Sequence, residues 1–268
     1  MVRPRSIVSL MVLLSVTVGV AASPALADRS IFADGFENAR TVSDLLAPGR
    51  WSYVQQVNPG SAIGLSTTHM HSGLQSIRFF GHPSFRYRSI TKADIAWSQG
   101  GFGTGDTIEI EAWFFLGAGA DLNDLYLLDA ECSECGTQSP GTRIRVSGGY
   151  PVVDRSKILG LPTISQDRVQ VAVERWFDLR YRLKLGVGPA GHLRLWVDGT
   201  KVIDRAGTTV FPGGFVDSIQ FGLTANASRA DAEVFVDDVS IRRLGRPSPI
   251  DCVLGTAACL ARRPSVIS

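Results

Sequence analysis

Two segments, residues 176–185 (WFDLRYRLKL) and residues 192–204 (HLRLWVDGTKVID), decide the fold of this 268-residue chain. In both segments apolar and polar residues alternate, which is typical of a strand with one buried face. The second segment contains Asp198 and Gly199, a dipeptide that suits a two-residue type I′ hairpin turn. The two segments therefore predict antiparallel strands that include a tight hairpin.

The same pattern extends over most of the chain. Helical periodicity is nearly absent, and short strand-like runs are separated by turn residues, among them many of the 28 glycines. The clearest further runs are QSIRFF, TIEIEAWFFL, LYLLDA, RIRVSG and EVFVDDVSI. About a dozen strands in one region predict a single all-β domain over residues 28–244, a jelly-roll sandwich of two antiparallel sheets.

The two ends of the chain differ from this domain. Residues 1–27 contain two arginines, an apolar run and an Ala-x-Ala pattern before Asp28, which predicts a signal peptide and export to the periplasm or the extracellular space. Residues 245–268 break the strand pattern and are predicted to form a tail held by a disulfide. No later stretch is apolar over enough residues to predict a membrane span.

The charge of the predicted domain argues against a nucleic-acid partner. Of the 27 lysines and arginines, two lie in residues 1–27 and five follow residue 241, whereas 24 of the 25 acidic residues lie between these ends. The body of the protein therefore carries fewer bases than acids, which is a poor match to a phosphate backbone. We expect a monomer.

Four cysteines form two close pairs in sequence, Cys132 with Cys135 and Cys252 with Cys259. In an exported chain, disulfides are expected rather than a metal site or a redox motif. The favoured pairing is 132–135 and 252–259. Cross-pairing, which would join the tail to the body, remains the alternative.

Several segments resemble the concanavalin A-like lectin and glucanase superfamily, which includes laminin G-like domains and polysaccharide lyases. The segment WFDLRYRLKL…AGHLRLWVDGTKVID resembles the core of these jelly rolls, and IFADGFENA, THMHSGLQSIRF and VFVDDVSI resemble their bracketing strands. The resemblance implies an exported protein that binds a polysaccharide or glycoconjugate. Two alternatives stay open: a lyase acting on uronate-containing polymers, and a non-catalytic adhesion or structural module with a protein partner.

One acidic residue in VFVDDVSI needs an explanation. Strict alternation places Asp237 in a row with Val239 and Ile241 that faces the core, where an ionised carboxylate is costly without a partner. The resemblance implies a structural calcium, on the sheet away from the sugar, held by Glu37, a backbone oxygen near Gly73, and Asp237. Hydrogen bonds from loop amides, or an ion pair, are the alternative.

A first group of candidate glycan contacts lies in TIEIEAWF, where Glu109, Glu111 and Trp113 share one face. Two carboxylates beside an aromatic ring are typical of retaining glycosidases, whose acids lie roughly 5 Å apart. The segment departs from the glucanase signature, so Glu111 and Trp113 are interpreted as sugar contacts. A solvent-facing strand with solubilising acids is the alternative.

A second group is basic, and its members share faces of the two segments that decide the fold. If these faces line one groove, guanidinium groups would bind the carboxylates of an acidic polymer and Trp196 would stack on sugars. In a lyase, His192 would act as the base with Arg194 and Arg182. The alternative is an ordinary solvated sheet surface. The predicted glycan-binding residues of this group are Arg180, Arg182, Arg194 and Trp196.

Overall fold

Fourteen strands lie in the part of the chain that the computed structural model describes, residues 28–136 and 138–245. They are β1 (Arg29–Asp34), β2 (Tyr53–Val57), β3 (Ala62–Ser66), β4 (Ser76–Gly81), β5 (Lys92–Trp97), β6 (Thr107–Leu116), β7 (Leu125–Glu131), β8 (Gly141–Ser147), β9 (Tyr150–Asp154), β10 (Trp176–Lys184), β11 (His192–Val197), β12 (Thr200–Ala206), β13 (Ser218–Asn226) and β14 (Ala232–Leu244). Three short 3-10 helices cover Val42–Leu46, Ser84–Arg86 and Gly188–Ala190.

The strands form two antiparallel sheets. Sheet A has the order β12-β11-β10-β6-β14-β4-β3, and β1 pairs with β14 beside β4. Sheet B has the order β2-β5-β13-β7-β8-β9. The prediction of an all-β jelly-roll sandwich of two antiparallel sheets is confirmed.

The core lies between the sheets because alternate residues of each strand point inward. On sheet A, Ile110, Phe114 and Leu179 are fully buried, and on sheet B Ile95 and Phe221 are fully buried. Burying side chains of this size contributes about 1.5–3 kcal/mol each to the free energy of folding. The remaining residues of each strand point away from the core and form the two outer faces of the sandwich. The inward packing therefore determines which polar residues lie together on each outer face.

The hairpin predicted between residues 192 and 204 is confirmed. Strands β11 and β12 pair in antiparallel register, with Val197 opposite Thr200. The connecting residues Asp198 and Gly199 have φ values of 46° and 73°. Two successive positive φ angles are the requirement of a type I′ turn, which explains the Asp-Gly dipeptide.

The expectation that Asp237 faces the core is wrong, because β14 contains a bulge. Asp237 lies opposite Trp113 of β6, but the next pair in register is Ser240 with Glu111, so β14 contributes one additional residue at this point. Asp238 within the bulge has a φ of 48°. The bulge moves the alternation by one residue, which places Asp237 on the outer face of sheet A, where a loop covers it.

The disulfide between Cys132 and Cys135 is present, with Cα atoms 5.3 Å apart, as predicted. The cysteines at 252 and 259, the predicted signal peptide and nearly all of the predicted tail lie outside the described residues. Among residues 28–136 and 138–245, no helix has the length and apolar character needed to cross a membrane.

Candidate functional site

The outer face of sheet B carries polar residues on all six strands. Each of these strands points its apolar residues inward, as Phe221 does on β13, and thereby turns its polar residues outward. We call this surface the polar groove. Although it is an outer face, Glu131 and Gln220 are only 2% and 4% exposed, so its floor is recessed. Its main residues are Tyr53, Gln55, Lys92, Asp94, Tyr126, Asp129, Glu131, Arg143, Asp154, Ser218 and Gln220.

An open cavity of about 470 Å³ occupies one end of the polar groove. Strands β2, β5 and β13 supply its floor, the segment after β7 supplies one wall, and Lys157 reaches in from the segment after β9. The Cys132–Cys135 disulfide lies at the base of the first wall. The lining residues are all polar: Tyr53, Gln55, Lys92, Glu131, Ser133, Gln138, Ser139, Lys157 and Gln220.

A chain of hydrogen bonds fixes the side chains on the cavity floor. Lys92 Nζ donates to the amide oxygens of Gln55 at 3.1 Å and Gln220 at 3.4 Å. The Gln220 side-chain nitrogen in turn lies 3.3 Å from both the Tyr53 hydroxyl and a Glu131 carboxylate oxygen. Because each group is held by its neighbours, the donors and acceptors that face the cavity are already oriented.

Two carboxyl groups in the groove have strongly raised pKa values. Burial raises the pKa of Asp94 to about 8, against the opposing effect of Lys92. Burial also raises the pKa of Glu131 to about 7, and the nearby Asp129 carboxylate adds to this shift. Neither oxygen of Asp94 has a hydrogen-bond partner in the described part of the chain. Near neutral pH Asp94 is therefore largely protonated, and a protonated carboxyl group both donates and accepts hydrogen bonds. Glu131 is also paired with the Lys157 ammonium, which favours its ionised form.

The other end of the groove is built around Tyr126. Its hydroxyl donates to Asp154 at 3.2 Å, and the Arg143 guanidinium contacts the same carboxylate at 2.5 Å and lies 4.6 Å from the Tyr126 ring centroid. Burial raises the pKa of Tyr126 to about 12. Tyr126 is therefore a neutral hydrogen-bond donor rather than a ready base.

The basic residues predicted from the sequence lie on the opposite side of the sandwich, on the outer face of sheet A. Arg182 and Arg194 are direct cross-strand partners, and with His192 they line a small pocket of about 210 Å³. Arg180 lies opposite Trp196, with the guanidinium 4.7 Å from the ring centroid. The structure thus brings these five residues together on two adjacent strands.

Acidic neighbours pair with most of these basic groups. Arg182 donates two hydrogen bonds to Glu109, at 2.9 and 2.6 Å. His192 and Arg194 share the carboxylate of Asp204, at 2.5 and 3.2 Å. The candidate lyase base His192 is therefore engaged with a carboxylate. The hydrogen bonds from Lys201 and His192, followed by the charge of Arg194, hold the pKa of Asp204 well below its usual range.

The other predicted sugar contacts, Trp113 and Glu111, also lie on sheet A. The His71 ring stacks on Trp113 with centroids 3.7 Å apart, so a loop covers this indole. Glu111 is within 3.5 Å of Arg242. Trp113 is the cross-strand partner of Asp237, so the predicted sugar contacts and the predicted calcium ligand share one face. The resemblance had implied opposite sheets for these two features.

The predicted calcium ligands come together around one loop. Asp237 Oδ2 accepts hydrogen bonds from the amides of His71 at 2.9 Å and Ser72 at 3.2 Å. Glu37 lies so close to Gly73 that a side chain at position 73 would collide with the Glu37 carboxylate, and Gly73 has a φ of 61°. These two carboxylates therefore clamp the loop between the first and last strands.

The chemistry of this donor set fits calcium, since two carboxylates and a backbone oxygen are hard oxygen ligands. Calcium would join the loop to β14 and to the segment after β1, and it would have a structural role only. The loop amides already satisfy the buried carboxylate of Asp237, although burial still raises the pKa of this group. In the described ranges no cluster of three or more His, Cys, Asp or Glu side chains is placed to hold a metal. Calcium therefore remains a prediction.

The polar groove itself was missed from the sequence. Its floor depends on uncharged side chains such as Gln220 and on Lys157, which comes from a loop. One signal was available in the run LYLLDAE, where Asp129 and Glu131 are two residues apart and so share a face of β7.

Comparisons with known proteins show the fold. No protein-family model and no curated protein matches this chain. Among solved structures, an endo-β-1,4-glucuronan lyase from the fungus Trichoderma reesei has a TM-score of 0.62 and 17% identity, covering 80% of this chain and 95% of the lyase. The cellulose-induced protein Cip1 has a TM-score of 0.57 and 18% identity, covering 78% of this chain and 96% of its own. The alginate lyase Aly36B has a TM-score of 0.55 and 13% identity, covering 82% of this chain and 98% of the alginate lyase.

These similarities extend over nearly the whole sandwich. The shared architecture is two antiparallel sheets, and the fold of this chain is a jelly-roll sandwich. Identities below one fifth carry the fold and no specific activity.

The calcium prediction can be tested by chelation. If calcium binds Glu37 and Asp237, EDTA should lower the melting temperature of calcium-loaded protein, because a ligand bound only to the native state stabilises by about 3 kcal/mol at a hundredfold excess. Asp237→Asn should remove the sensitivity to EDTA, whereas Glu233→Gln on the same strand should retain it. If EDTA leaves the melting curve of wild-type protein unchanged, the loop amides alone stabilise the Asp237 carboxylate and the calcium prediction is wrong.

The raised pKa of Asp94 predicts how stability depends on pH. The pKa of Asp94 in the folded protein, about 8, lies above the ordinary value near 3.8. The contribution of this group to the free energy of unfolding is therefore fully present below about pH 4 and is lost as the pH rises towards 8. Asp94→Asn cannot ionise, so its free energy of unfolding relative to wild type should rise between about pH 4 and about pH 8. Parallel denaturation profiles of the two proteins over this range would contradict the assignment.

Proposed function

We propose that this protein is an exported polysaccharide-binding protein and that the glycan lies in the polar groove of sheet B. The observation that carries the proposal is the cavity of about 470 Å³, lined only by polar side chains. Its size lies within the range of pockets for small ligands, so it holds a few sugar residues of a longer chain.

The chemistry of the lining suits sugar hydroxyl groups, which donate and accept at the same time. Gln55, Gln220 and the Tyr53 hydroxyl offer both donors and acceptors, and the Glu131 carboxylate, paired with Lys157, offers an acceptor. Tyr53 is half-buried at the edge of the cavity, and its ring offers a surface for the apolar face of a sugar. The charged groups are held by neighbours, which reduces the cost of ordering them on binding.

The groove also favours a glycan over a protein partner. An adhesion module would be expected to display a flat apolar face, since apolar and aromatic residues form the centre of most protein interfaces. The described outer face of sheet B is instead recessed and polar. Export, which the predicted signal peptide implies, is consistent with the Cys132–Cys135 disulfide beside the cavity.

A uronate lyase is the second candidate, and one observation favours it. The Lys92 ammonium in the cavity is hydrogen-bonded only to neutral amide oxygens. It could therefore neutralise the carboxylate of a uronate, which β-elimination requires. Tyr53, linked to Lys92 through Gln220, is the group placed to move a proton, although burial raises its pKa. In this candidate the base is Tyr53, in place of the predicted His192.

Substitutions in the cavity test the proposed binding site. Gln55→Ala combined with Lys92→Met should weaken binding to the preferred polysaccharide about thirtyfold, since the two lost hydrogen bonds are worth about 1 kcal/mol each. The matched control is Gln56→Ala, which alters the neighbouring residue on the opposite face of β2. Affinity electrophoresis against a panel of neutral and acidic polysaccharides measures the effect.

Equal retention of the double variant and wild type on every polysaccharide that binds would place the glycan elsewhere. The same panel tests for lyase activity through the absorbance of unsaturated uronate products. Under the lyase candidate, Tyr53→Phe should abolish product formation while leaving binding within a few fold of wild type. No product from any uronate polymer with wild-type protein would leave binding as the sole function.

A further inference from the structure

The part of the outer face of sheet A formed by β6, β10, β11, β12 and the C-terminal half of β14 carries an excess of positive charge. We call its basic residues, which lie on β10, β11, β12 and β14, the basic surface. On this part of the face, six permanent cations lie beside four carboxylates, those of Glu109, Glu111, Asp178 and Asp204. The six are Arg180, Arg182, Lys184, Arg194, Lys201 and Arg242.

Two of the four carboxylates are shared between several bases. Glu109 pairs with both Arg182 and Arg242, and it is only 2% exposed. Asp204 pairs with Arg194, with Lys201 at 2.6 Å, and with His192. When one carboxylate pairs with two or three basic side chains, part of the positive charge and some of the hydrogen-bond donors of those side chains have no partner. The basic surface can therefore accept an additional anion.

The unmatched charge is concentrated at one pocket. The pocket of about 210 Å³ is lined by Thr107, Arg182, Lys184, His192 and Arg194, with no acidic residue in its lining. Lys184 is exposed, and no ion pair to it is present among residues 28–136 and 138–245. The volume is below that of most small-molecule sites, which suits a single anionic group or one charged sugar.

An aromatic ring borders this pocket and orders its arginines. The Arg180 and Arg182 guanidinium groups lie 4.7 and 5.5 Å from the Trp196 ring centroid. Stacking on an indole restricts a guanidinium while leaving its edge free to donate. Trp196 is half-exposed, so its ring edge is also available beside the pocket.

We propose that the basic surface is a second binding site, which takes the sulfate or carboxylate groups of an acidic polysaccharide. The site lies on the opposite sheet from the polar groove and does not depend on it. Arg182, Lys184 and Arg194 hold one anionic group in the pocket. Neighbouring sugars of the same chain extend along β10 and β11 towards Trp196. A protein with both sites would link two glycan chains.

The test uses dextran sulfate and polygalacturonate as anionic probes and unmodified dextran as the neutral one. The wild-type protein should bind at least one anionic probe, with affinity that falls steeply as salt increases. Lys184→Ala combined with Arg194→Ala should weaken this binding at least tenfold. The control Arg40→Ala with Arg229→Ala removes the same charge from exposed positions elsewhere and should change it less than twofold.

Three results would overturn the proposal: equal losses in the two double variants, no loss in either, or a loss only with the groove variant Gln55→Ala/Lys92→Met. Equally tight binding of double-stranded DNA, lost in the same variant, would also overturn it by showing a general polyanion surface. Lys184→Ala alone, at an exposed position, should give an intermediate loss if the double variant is poorly folded. Binding by the groove variant Gln55→Ala/Lys92→Met is measured separately. A failure of the basic surface as a binding site can therefore be distinguished from a failure of the polar groove.

Discussion

The pairing of β14 with three other strands is the constraint on which this structure depends. This strand, Ala232–Leu244, lies between β6 and β4, and its C-terminal half also pairs with β1. The first and last strands of the described domain are therefore neighbours, and the sandwich is closed by hydrogen bonds between segments far apart in sequence. The bulge at Asp238 lies where the pairing with β4 ends and the pairing with β1 begins, and it places Asp237 where its carboxylate accepts hydrogen bonds from the 71–75 loop.

Closing the sandwich in this way gives it two chemically different outer surfaces. On sheet A the polar residues form a network of ion pairs that joins arginines to carboxylates on neighbouring strands. On sheet B the polar residues are recessed, and two acids, Asp94 and Glu131, are buried deeply enough for their pKa values to rise. The first arrangement offers charge to a ligand, and the second offers oriented hydrogen bonds. The two surfaces are therefore suited to different glycan chemistries.

Local patterns in the sequence predicted the fold well, because each strand had to bury one face and turn at recognisable residues. The Asp198–Gly199 turn and the alternation in β10 and β11 are the clearest cases. The position of Asp237 could not be predicted, since a bulge changes the facing of a strand without changing its composition. The groove was missed for a related reason: its floor joins Tyr53, Lys92 and Gln220, which only the strand order brings together. The basic residues were correctly grouped, but their carboxylate partners, such as Asp204, lie on other strands.

The central claim is that a glycan occupies the polar groove of sheet B. The most direct measurement is a crystal structure of the protein soaked with an oligosaccharide cut from the polysaccharide that it binds most tightly. The account predicts sugar density across β2, β5 and β13, with hydroxyl groups within hydrogen-bond distance of Gln55 and Gln220. Density confined to the outer face of sheet A, with the cavity at Glu131 filled by solvent alone, would contradict it.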